Sequence, residues 1–197
     1  TAPKLRGGLG ELLLEDLLRQ VLPQGIYDTQ HTFRNGQRVD AIIRLTNGTV
    51  PIDAKFPLES FRRLLAKSDD PKGARRQFRA DIRRHIDAIA QSYILPGETL
   101  DFALMYIPSE SVFYEVLLMD ETQENLLDYA WAKRVIPTSP NSFYAYLQLI
   151  ALGLRGLQIE QNARTWTRRP NGTGPYRLVE WKLGERLTLD RNDRYHL

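Results

Sequence analysis

The chain has 197 residues, 27 of them basic and 24 acidic, for a formal net charge of +3 at pH 7. Hydrophobic residues make up 42% and charged residues 26%. These are globular proportions that exclude wholesale disorder and suit one domain with room for an appendage. Cysteine is absent, which excludes disulfides, thiol nucleophiles and thiolate zinc sites.

In chain order, Leu14, Leu17, Leu18 and Val21 recur at i, i+3, i+4 and i+7, the spacing of an amphipathic helix that Pro23-Gln24-Gly25 ends. Glu11 lies three and seven positions ahead of Leu14 and Leu18, and so along the buried edge of that helix. Three strand-like runs follow, over 26–33, 39–45 and 50–55, separated by Asn35-Gly36 and Asn47-Gly48. Two such turn dipeptides predict an antiparallel meander. Pro51 cannot donate to a ladder, so it is expected at a strand start or on an edge. A short helix and loop over 57–72 precede a longer helix over 74–93, with Phe78, Ile82, Ile86, Ile89 and Tyr93 on one stripe. The apolar run over 100–107 predicts a buried strand between helices. Helices are expected over 110–120 and 123–133, a short strand over 134–137, and a helix over 141–162 capped by Ser139-Pro140. After a breaker-rich stretch, two short strands are expected around Leu183-Gly184. Trp131, Trp166 and Trp181 are assigned to packing.

The histidines are His31, His85 and His196, with no H-x-x-x-H pair, so an oxygen-ligand site for a hard cation is favoured over a histidine-rich one. No apolar run is long enough to cross a bilayer, and the start does not resemble a signal peptide. The chain as given is expected to be soluble and cytoplasmic. Charge is uneven. Residues 61–92 hold nine basic residues against four acidic ones. Among the nine, Arg75, Arg76, Arg79, Arg83 and Arg84 follow one another on the long helix. This is either a solvated helix face or a surface for a DNA phosphate backbone, contacted without sequence specificity.

Charged residues inside apolar strands carry the chemical reading. Asp53 and Lys55 share one face of the third strand, and Asp40 comes within cross-strand reach if the second hairpin closes. Two or three carboxylates gathered there repel one another unless a divalent cation intervenes, and oxygen ligands select Mg²⁺ or Mn²⁺. Lys55 could orient water or stabilise a pentacoordinate phosphate. Glu11 is a further candidate ligand with Glu15 as its rival, and Gln30 could point into the same site. His85 is a core histidine or a phosphate contact. The structural alternatives are an edge-strand ion pair for Asp53 and Lys55 and a pairing of Asp40 with Arg38.

Asp40 followed by Asp53-Ala54-Lys55 resembles the PD-(D/E)xK nuclease motif, with Val39 in place of its proline. Longer stretches resemble the RmuC family, described as DNA recombination proteins. These are Arg6-Gly7-Gly8-Leu9-Gly10-Glu11, Arg38-Val39-Asp40, Ile52-Asp53-Ala54-Lys55-Phe56-Pro57-Leu58, Arg83-Arg84-His85-Ile86, Asp101 through Pro108, and Gln158 through Ala163. The resemblance implies a restriction-endonuclease-like α/β core over 1–163, with a mixed central sheet flanked by helices. It implies action on DNA in recombination, and an upstream coiled coil, often with a membrane anchor. Two functions follow as expectations: an Mg²⁺-dependent nuclease using Glu11, Asp40, Asp53 and Lys55, or a module that binds DNA structures without cutting. A coiled-coil-tethered scaffold is a third. Residues 164–197, including Gly172-Thr173-Gly174-Pro175-Tyr176, resemble a fragment of periplasmic oligopeptide-binding proteins. The fragment is too short for their cleft and is expected to form a hairpin of foreign origin.

Overall fold

A computed structural model describes residues 2–54, 58–66, 70–118, 125–168, 176–182 and 186–191. The protein is α/β. Helix α1 (Ala2–Val21) leads into strands β1 (Tyr27–Thr32), β2 (Arg38–Leu45) and β3 (Gly48–Asp53). Helices α2 (Leu58–Leu65) and α3 (Pro71–Tyr93) connect these to β4 (Ala103–Tyr106). Helices α4 (Glu110–Leu118) and α5 (Leu126–Ala132) lead on to β5 (Val135–Thr138), and α6 (Pro140–Arg168) follows. The five strands form one sheet in sequence order, antiparallel from β1 to β3 and parallel from β3 to β5. The antiparallel part needs only tight turns, whereas each parallel pairing needs a helical crossover.

The chain divides into two compact units, Thr1–Leu149 and Ile150–Leu197. In the first, the side chains of β4 alternate between two faces. Ala103 and Met105 pack in one cluster with Phe78, Ile82, Ile86 and Ile89 of α3 and with Val135. Tyr106 points to the opposite face, where its ring meets Phe143 edge-on at 5.3 Å. Leu14 and Leu18 of α1 are fully buried. In the second unit, β6 (Tyr176–Lys182) and β7 (Arg186–Arg191) pair antiparallel, with an irregularity between Leu178 and Glu180.

Four expectations are corrected. Pro51 is neither first in its strand nor on an edge, since β3 lies between β2 and β4. Pairing with β4 covers only Ile52 and Asp53, so the missing N–H of Pro51 falls ahead of that ladder. The second hairpin turns on Thr46-Asn47, with Leu45 paired to Gly48. Gly48 opens β3 at φ 145°, a conformation that side chains disfavour. Trp131 is 57% exposed and is not a packing residue. The side chains of Trp166 and Trp181 lie outside the described residues. Helix α6 also runs to Arg168, six residues beyond the expected end.

Candidate functional site

The register of the meander sets the site. Ala41 pairs with Ile52, so Asp40 and Asp53 are the next residues across the β2–β3 ladder and leave the same face. Thr29 pairs with Ala41 and His31 with Val39, leaving Gln30 opposite Asp40. Gln30, Asp40 and Asp53 therefore stand in a row across three neighbouring strands. Both carboxylates are buried, Asp40 at 4% exposure and Asp53 at 2%. Burying a charge is costly unless partners compensate it, and each carboxylate has a contact. The Oδ2 of Asp40 accepts a hydrogen bond from the Ala54 N–H at 2.8 Å. The Oδ2 of Asp53 lies 3.1 Å from Nε2 of His85 on α3. Neither of these last two atoms makes an aligned hydrogen bond.

Tyr93, two turns beyond His85 on α3, completes this side. Its hydroxyl donates to the Arg38 carbonyl at 3.1 Å. Its phenol is pushed above its ordinary range, first by burial and then by the charges of Asp53 and Asp40. Sequence reasoning placed Tyr93 only on the apolar stripe, because a tyrosine at that spacing reads as core. The available signal was that His85 and Tyr93 are eight residues apart and so share a helix face.

On the other side of Asp40 lies a cavity of about 510 Å³, whose polar lining includes Glu11, Glu15, Gln30 and Arg38 as well as Asp40 itself. The Gln30 amide donates to Glu11 Oε2 at 3.0 Å. It does so from a backbone with φ 54°, a region that non-glycine residues seldom occupy and that recurs at functional sites. Glu15 is bound by Arg19 one turn away at 2.8 Å. Helix α1 comes close to the strand end because residue 10 is glycine. A Cβ there would stand 3.3 Å from the Ala54 carbonyl oxygen and 3.4 Å from Pro108.

The expected ligands thus form two adjoining sets. Glu11, Glu15, Gln30 and Asp40 share the cavity, while Asp53 meets His85 and Tyr93. Lys55 lies outside the described residues. Among the described residues, no three histidine or acidic side chains converge closely enough to hold a metal ion among them. The donor chemistry nevertheless fits a hard cation that uses two carboxylates and keeps several waters, as Mg²⁺ usually does. Asp40 and Asp53 are adjacent across the ladder, and Asp53 Oδ2, although 3.1 Å from His85 Nε2, makes no aligned hydrogen bond.

The basic residues lie on α3. Arg76 and Arg84 are exposed, and Arg75, Arg79 and Arg83 are half-buried. Arg84 pairs with Asp81 at 2.7 Å, and the Arg83 guanidinium lies 4.5 Å from the centre of the Tyr129 ring. Part of the basic surface is therefore engaged within the fold.

The profile of the RmuC family matches residues 1–169. Similar curated proteins include the DNA recombination protein RmuC homologue of Xylella fastidiosa (strain Temecula1), 31% identical over 192 positions that cover 85% of this chain and 39% of that one. The homologue of Pseudomonas aeruginosa is 32% identical, covering 82% of this chain and 38% of that protein. The DNA recombination protein RmuC of Escherichia coli K12 is 34% identical, covering 75% and 33%. The chain thus spans between a third and two-fifths of the length of these relatives. No solved structure matches it. With the profile covering most of its length, the chain belongs to the RmuC family.

Proposed function

We propose that this chain acts on DNA in recombination, as a metal-dependent phosphodiesterase whose site is built on the ends of β2 and β3. The observation that carries this reading is the pair Asp40 and Asp53, two buried carboxylates adjacent across an antiparallel ladder. Relatives named DNA recombination proteins supply the substrate class. In this reading Asp40 and Asp53 hold Mg²⁺ or Mn²⁺, and Glu11 serves from the cavity side. The cation, when bound, offsets phosphate charge and makes a bound water more acidic. The protein's own groups do the rest. The Ala54 amide fixes the Asp40 carboxylate, and Gln30 fixes Glu11. Lys55, two residues beyond Asp53 in the sequence, would supply a positive charge to an oxygen of the phosphate. Exposed arginines of α3 hold neighbouring phosphates.

The test is incubation of linear, circular and branched DNA with purified protein and Mg²⁺ or Mn²⁺. Cleavage is expected to fall by about 10²-fold or more in Asp53→Asn and in Lys55→Ala. Activity unchanged in both variants would trace it to a contaminant. A second reading, a DNA-structure-binding module that does not cut, is favoured by the contacts of the two carboxylates with protein groups, Ala54 and His85. Tight, salt-sensitive binding without cation-dependent hydrolysis would select it.

A further inference from the structure

Helix α3 supplies more than a basic face. Ile82, Ile86 and Ile89 lock it against the sheet, and this presents His85 and Tyr93 to the strand end where Asp40 and Asp53 sit. At 3.1 Å, Nε2 of His85 touches Oδ2 of Asp53, yet both buried atoms lack an aligned hydrogen bond. Such a contact is a poor device for holding a fold together. At ion-pair distance the contact offsets part of the desolvation cost of the two groups, and the aligned bond that would offset more of it is not made. A buried group left in this state calls for an explanation, and an ion or water that completes the arrangement is one.

We propose that His85 is a positioning residue: from α3 it holds the Asp53 carboxylate in the orientation needed to receive a divalent cation at the ends of β2 and β3. This rests on the reading of Asp53 as a cation ligand. The imidazole stands against the Asp53 carboxylate at 3.1 Å, on a helix that three buried isoleucines hold against the sheet. It therefore limits the rotation of Asp53 before any ion arrives. Groups behind metal ligands act in this way, and removing them weakens metal affinity by about 10–100-fold. Tyr93 bounds the same carboxylate pair two turns on.

The experiment is Mn²⁺ titration of the full chain without DNA, followed by calorimetry and by the Mn²⁺ electron paramagnetic resonance signal, with circular dichroism as the check on folding. His85→Ala is expected to weaken Mn²⁺ binding by about 10–100-fold. His85→Gln, whose amide nitrogen can reach the same oxygen, is expected to recover most of the affinity. Asp53→Asn is expected to lose binding altogether. If His85→Ala does not fold, His85→Leu, which fills the space without a donor, carries the same comparison. A folded His85→Ala or His85→Leu that binds Mn²⁺ within twofold of the wild type, while Asp53→Asn does not bind it, overturns the role of His85 and leaves the cation reading standing. A wild-type chain that takes up no Mn²⁺ overturns the cation reading and this role together.

Discussion

A side chain at residue 10 would have to displace the Ala54 carbonyl or Pro108, whereas one at Gly8 would meet nothing within 4 Å. Both glycines lie within α1, so both weaken the helix relative to alanine. Gly8→Ala should therefore raise stability by about 0.5–1 kcal/mol. Gly10→Val should lower it by about 1–3 kcal/mol, the usual cost of overpacking, with urea unfolding as the measurement for both. Tyr106 makes a different prediction. It is 1% exposed, and its phenol is pushed up to about 12, first by burial and then by the charge of Glu110. The unfolded phenol ionises near 10. The stability held in the neutral folded phenol is thus complete below pH 10 and is lost as pH rises from 10 towards 12. Thermal unfolding across pH 9–11.5 should show that decline, and Tyr106→Phe should reduce it. At this scale Asp40 and Asp53 were legible in the sequence because charge inside an apolar strand is conspicuous. The contact of His85 with Asp53 was not, because an aromatic or imidazole side chain on a helix stripe reads equally well as packing.

Among the elements, α3 was the most legible. Its apolar residues at Phe78, Ile82, Ile86 and Ile89 are all buried, as a 3.6-residue period requires. Its start was set by chemistry outside that period. Asp70 accepts a hydrogen bond from the Gly73 N–H at 2.8 Å, with Pro71 at the first helical position. That cap places the helix start three residues before the apolar pattern suggests. Asp70→Ala should cost about 0.5–2 kcal/mol, and Ile86→Ala about 2–5 kcal/mol through the cavity it leaves. Chemical denaturation with an unchanged slope would separate both losses from a change in compactness. The meander was legible from its two Asn-Gly dipeptides, but its second turn was displaced by one residue. A dipeptide preference does not say which glycine φ the strand twist will select, and here Gly48 is used inside the strand. Pro51 was misjudged because the rule against proline in central strands concerns ladder bonds, and the β4 ladder begins only one residue later.

Over the whole molecule the two sheets differ in what supports them. The five-stranded sheet has β3 and β4 in its interior, and every residue of β4 is buried. Met105 and Ala103 sit within the cluster that α3 covers. Opening β4 therefore requires losing most of that core, so its amides should exchange only through events approaching global unfolding. The pair β6–β7 has two strands, and a two-stranded sheet is marginal in water. Tyr176, Val179 and Leu189 on it are 62%, 55% and 51% exposed, so among the described side chains of this pair little apolar burial opposes its opening. Hydrogen exchange followed by mass spectrometry should find the amides of 176–182 and 186–191 exchanging far faster than those of 103–106 at the same pH and temperature. Equal protection in the two sheets would mean that the hairpin opens only with the core, which its exposed apolar residues give no physical reason to expect. The same ordering bears on the site. Asp40 and Asp53 sit at the end of a ladder tied to the protected sheet, so the carboxylate pair should persist through the local openings that release the hairpin.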